Sequence, residues 1–96
     1  MGTNLYEKNL SPEALDIHRA ISSLIEELEA IDYYTQRAET CHDEELKKLM
    51  IHHANEEKEH AAMLIEWLRR HDKAFDKELK DYLFTEGSIT EIEEEK

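Results

Sequence analysis

From Leu15 onward, apolar residues return every three or four positions, through Ile17, Ile21, Leu24, Leu28 and Ile31. That spacing lines one face of an α-helix and predicts helix 1 over about residues 12–39. Ser11-Pro12-Glu13 is its start signal, with a hydroxyl cap, a proline suited to the first helical position, and an acid at the positive end of the dipole. The pattern breaks at Thr40-Cys41-His42-Asp43, where Asp43 can cap a second helix over about residues 44–70. Helix 2 carries Leu46, Met50, His53, Glu57, His60, Leu64 and Trp67 at alternating steps of four and three, a seam that packs helix against helix. Asp72 can cap a shorter helix over about residues 73–85, with Phe75, Leu79, Tyr82 and Leu83 along it and Gly87 as its stop. Residues 1–10 and the acidic tail 88–96 show no such pattern and are expected to be loose and frayed. No stretch alternates apolar with polar, so no strand is expected.

These elements define one all-α domain over residues 1–96: an antiparallel two-helix hairpin plus a short C-terminal helix. A hairpin leaves much of each apolar stripe in water, at a cost of roughly 25 cal/mol per Å². The economical remedy is a two-fold dimer that closes a four-helix bundle, so a homo-oligomer is expected whatever the function.

Composition narrows the function classes. Charged residues make up 38% of the 96, with only two glycines and one proline, as suits long exposed helices. The net charge of −12 would repel phosphates and argues against nucleic acid, while it can gather cations. No apolar run approaches the roughly 18 residues of a membrane span, and no signal peptide opens the chain, so cytoplasmic or compartment-enclosed residence is expected. Cys41 stands alone and forms no intrachain disulfide.

The chemistry lies in the seam. Glu57 and His60 stand where Leu or Ile would serve packing, and three residues apart on a helix they can reach one ion. On helix 1 the row Ala20, Leu24, Glu27, Ile31, Tyr34 also has an acid at its middle. Glu27 lies about 18 Å from the turn and Glu57 about 20 Å, so an antiparallel hairpin brings them nearly level. One chain thus offers a Glu and a Glu-x-x-His at one height, half of the ferritin-like di-iron set, and a two-fold would supply the rest. Carboxylate and imidazole suit iron, manganese or zinc, and Ca²⁺ or Zn²⁺ can substitute at such carboxylates. Among 24 acids a Glu-x-x-His also arises by chance, and a seam acid can serve only to choose a partner. Glu26, Glu29, Glu56 and Glu59 read as a solvated face, with Glu26 and Glu29 alternatively a cation entrance beside Glu27. His53 reads as a packed seam residue with outer ligation as its alternative. His18, His42, His52 and His71 read as ordinary surface or packing groups, and Tyr33 and Trp67 as packing.

Three strings, EELEAIDYYTQR (26–37), NEEKEHAAMLIEWLRR (55–70) and DYLFTEGSIT (81–90), closely resemble the encapsulated ferritins, cargo of encapsulin nanocompartments. The resemblance runs from about His18 to Thr90. It implies a ferroxidase whose dimers assemble into an annular decamer, with two iron ions at each dimer interface, feeding iron storage within an encapsulin shell. Carried over, the ferroxidase ligands fall on Glu27, Glu57 and His60, the entrance acids on Glu26 and Glu29, and the second-sphere tyrosine on Tyr34. The family often has Trp at the position of Tyr33, and its members carry a C-terminal targeting segment that the final Glu93-Glu94-Glu95-Lys96 does not resemble. Against this stand three rivals: a di-metal enzyme acting on peroxide or manganese, a non-enzymatic acidic helical adaptor, and a passive metal buffer.

Overall fold

A computed structural model describes residues 7–95, and among them every regular element is a helix. Helix α1 spans Pro12–Thr40, α2 Glu44–His71, α3 Lys73–Tyr82 and α4 Ile89–Glu95. The first two pack along one another as a hairpin, joined by Cys41-His42-Asp43. Side-chain caps fix each start. Ser11 Oγ accepts from the Ala14 amide at 3.1 Å, the Asp43 carboxylate from Leu46 at 2.8 Å, and Asp72 from Phe75 at 3.0 Å. Each cap satisfies a donor that a helix N-terminus would otherwise leave open.

Two terminal expectations are corrected. Helix α3 ends at Tyr82 rather than near residue 85, because Leu83 leaves the helical region with an extended ψ of 145° and Phe84 follows with a positive φ of 61°. Thr85 Oγ1 donates to the Tyr82 carbonyl at 2.7 Å and satisfies one of the open acceptors there. Gly87, with φ of 84°, is therefore not the stop of α3; it turns the chain toward α4. The segment expected to fray forms that short helix, whose Ile92 is half-buried. At the other end, residues 7–10 are irregular as expected, while residues 1–6 lie outside the described residues.

Between α2 and α3 a single extended residue, Asp72, turns the chain. Arg69 spans this joint. It donates twice to Glu66 at 2.8 Å and once to Asp76 at 2.6 Å, and Lys80 adds a contact to Asp76 at 3.1 Å.

The hairpin interior is narrow. Its buried residues are Ala20, Ala38, Ala54, Ala61 and Leu68, so two alanine-bearing faces meet and the helices approach closely. Little else is enclosed. The radius of gyration is 17.0 Å, where a compact chain of this length would have about 13 Å. The accessible surface is 7764 Å², roughly 2,000 Å² above the about 5,800 Å² expected of a compact monomer of this mass. Ile21, Leu28, Leu49, Met63 and Phe84 all remain exposed. Among the described residues no helix is long and apolar enough to cross a membrane.

Candidate metal centre

Glu27 from α1 and Glu57 and His60 from α2 converge on one flank of the hairpin. One ligand atom from each lies within 4.8 Å of the others, the spacing of donors around a single ion. His60 turns Nδ1 toward both acids, at 3.6 Å from Glu27 Oε2 and 3.8 Å from Glu57 Oε1. These contacts are too long for hydrogen bonds. Glu27 Oε2 is buried with no hydrogen-bond partner. The His60 side chain is 45% exposed, against 23% for Glu27, so the cluster is closed on the hairpin side and open outward.

The local reasons are simple. Glu57 and His60 are neighbours because residues three apart share a helix face. Glu27 meets them because the tight turn at residues 41–43 makes equal distances along both helices coincide. A buried, unpaired carboxylate oxygen is costly, and a cation is the group that best compensates it. Two carboxylates and one imidazole form a mixed oxygen and nitrogen set suited to iron, manganese or zinc. The residues present therefore fit a metal ion.

The remaining candidates fall around this cluster. Neither Glu26, which is exposed, nor Glu29, which is half-buried, belongs to it. Tyr34 packs edge-on against His53, with ring centroids 5.0 Å apart, and the Arg37 guanidinium lies 5.5 Å from the Tyr34 ring centre. Tyr33 is half exposed and lies under the same guanidinium at 5.9 Å. Trp67 stacks on His71 at 3.9 Å, so the final imidazole of α2 is a packing partner. His18 is half-buried and His42 exposed, and neither takes part in the cluster.

Two features escaped the sequence reading. Glu56 and Glu59, read as a solvated face, come within 4.8 Å of His60 and of each other, while Glu56 also meets His52 at 3.3 Å. And His53 Nδ1 is buried without a partner. The seam spacing placed His53 on the right face, but nothing in a sequence shows whether a ring nitrogen is satisfied.

Fold and cluster together define a class: an all-helical hairpin with short C-terminal helices and a carboxylate and imidazole cluster open on its flank. The chain belongs to the EncFtn-like family, which it matches over residues 3–86. It is 54% identical over 84 residues to the encapsulated ferritin-like protein of Rhodospirillum rubrum, covering 88% of this chain and 60% of that one. It thus spans less than two thirds of that relative's length. It is also 54% identical over 80 residues to the ferritin-like protein of Thermotoga maritima, covering 83% of this chain and 70% of the other. A crystal structure of a Nitrosomonas europaea protein superposes with a TM-score of 0.87 at 60% identity, covering 91% of this chain and 98% of that one.

Proposed function

We propose that the chain is a ferroxidase that oxidises Fe(II) to Fe(III) at a two-iron site shared between two copies, feeding iron storage inside an encapsulin compartment. Family membership supports a ferritin-like, iron-related role, and the name of the R. rubrum relative, an encapsulated ferritin-like protein, supports the encapsulated setting. The observation that carries the reading is the buried, unpartnered Glu27 Oε2 facing His60, with Glu57 beside it.

Iron is the substrate: each Fe(II) gives up one electron, with dioxygen as the acceptor. The chain's residues make that possible by position and charge. Glu27 and Glu57 supply anionic oxygens that favour the higher charge of Fe(III), and His60 supplies a neutral nitrogen through Nδ1. The hairpin closes the inner side of the cluster, leaving the outer side for the matching residues of a second copy. Glu26 and Glu29, one on each side of Glu27 in sequence, would draw cations toward it, and Tyr34 would shape the layer beneath. The exposed apolar surface supports the two-fold partner, and the expected assembly is an annular decamer built from five such dimers.

Aerobic addition of Fe(II) to metal-free protein, followed by Fe(III) absorbance, tests the proposal beside a Glu57→Ala, His60→Ala variant. Rapid oxidation by the parent and background rates in the variant are expected. Equal, slow rates in both would remove the ferroxidase reading. Iron binding without acceleration would leave a passive buffer, and no binding would leave a helical adaptor.

A further inference from the structure

Among the described residues, two buried side-chain polar atoms lack a hydrogen-bond partner: Glu27 Oε2 and His53 Nδ1. Both lie in the facing rows of the seam. The metal cluster accounts for the first and leaves the second unexplained. His53 precedes Glu57 by four residues, so the two share a face of α2, about 6 Å apart along its axis. Tyr34 packs edge-on against its ring at 5.0 Å and favours that placement.

We propose that His53 is a positioning residue for the metal centre. In the chain alone the two do not pair; in the metal-loaded site the Glu57 carboxylate turns to accept from Nδ1–H, and that bond fixes the orientation in which it meets iron. The inference rests on the ferroxidase reading and adds a residue to it. A carboxylate that holds a metal through one face keeps lone pairs that need a donor, and such outer partners commonly orient metal ligands. A ring N–H one helical turn away on the same face is suitably placed, and Tyr34 is what holds the ring there. Within a single chain the nitrogen is buried and unpaired, which is destabilising. Hydrophobic packing alone would be better served at position 53 by leucine, so the imidazole trades stability of the unloaded protein for a defined site.

That trade is the test. Co(II) serves as the probe, and its affinity is measured by calorimetry for the parent, His53→Leu and His53→Asn, alongside melting temperatures in chelator. Asn places an amide N–H close to where Nδ1 stands, whereas Leu fills the space without a donor. His53→Leu should melt higher than the parent in chelator yet bind Co(II) about tenfold more weakly, the worth of one hydrogen bond to a charged group. His53→Asn should recover most of the affinity. Equal affinity in His53→Leu and the parent would overturn the proposal, as would an Asn variant no better than Leu. Loss of a whole equivalent of Co(II) in His53→Leu would make His53 a ligand instead, which also overturns it. A parent that binds no Co(II) would overturn the metal-centre reading itself, a result visible before any His53 variant is compared.

Discussion

Arg69 on α2 reaches Asp76 on α3 at 2.6 Å while gripping Glu66 on its own helix, so one guanidinium sets the angle between two helices. Hydrogen bonds from Arg69 and then Arg70 hold the Glu66 carboxyl down to about 2, from an ordinary 4.5. The Asp76 carboxyl is likewise held below its usual range, first by Arg69 and then by Lys80. Because that guanidinium joins the two helices, the α2–α3 angle depends on the charge of its partners.

A group with a depressed folded-state pKa stabilises fully above its unfolded value and loses that contribution as pH falls through the folded one. The joint is therefore expected to hold above pH 4.5 and to loosen as pH falls toward about 2. A carboxyl carbon titration by NMR reads this directly. The Glu66 midpoint should lie near 2 in the parent and move back toward 4.5 in Arg69→Gln, with Arg70 retaining part of the shift. A parent midpoint near 4.5 would show that the pairing does not persist in solution.

Glu27→Leu should separate fold from site. In chelator the variant is expected to melt at or above the parent, because an unpaired buried oxygen is removed. With Zn(II) at a hundredfold over its dissociation constant the parent should gain about 2.7 kcal/mol, and the variant much less. A Glu27→Leu protein that melts well below the parent in chelator would mean the carboxylate is held by something other than metal.

The proposed shared site also predicts what dimer loss does. Met63 is 59% exposed and one turn from His60 on α2. A two-fold axis at the centre would count any change there twice. Met63→Glu is expected to weaken association at least tenfold, since burying one such side chain is worth about 1.5 kcal/mol or more. Light scattering reads the mass and Fe(III) absorbance the activity; the two should fall together. A monomeric variant with full activity would refute the shared site.

Asp43 caps α2 by accepting from Leu46 at 2.8 Å. Asp43→Ala should cost about 1 kcal/mol and lower the melting temperature by about 4–8 °C. Iron oxidation by the protein that remains folded should be unchanged, because the cap is remote from Glu57. Thermal unfolding followed by circular dichroism checks the first, and the absorbance assay at 25 °C the second.

Much of this arrangement was legible in the chain. Three- and four-residue spacing marked α1 and α2, and caps at Ser11, Asp43 and Asp72 marked where helices begin, because helix starts depend on local chemistry. Helix ends were harder. Leu83 and Phe84 stop α3 through backbone angles that their side chains give no reason to expect, so Gly87 looked like the stop. Equal distance from the turn brought Glu27 level with Glu57, and so beside His60, because a tight hairpin turns spacing along the chain into distance across it. The second cluster, Glu56 and Glu59 beside His60, and the unsatisfied nitrogen of His53 were hidden. Both depend on rotamers and on what lies opposite, which periodicity does not encode.

Four of the five buried residues in the hairpin are alanines, and that narrow interior makes foldedness a matter of population. A lone copy holds its two long helices together with very little, while the apolar surface it leaves open is worth far more once a neighbour covers it. Dilution should therefore erode helix, partner contact and the proposed iron site along a single curve. Crowding many copies into a small volume would hold all three at the saturated end of that curve.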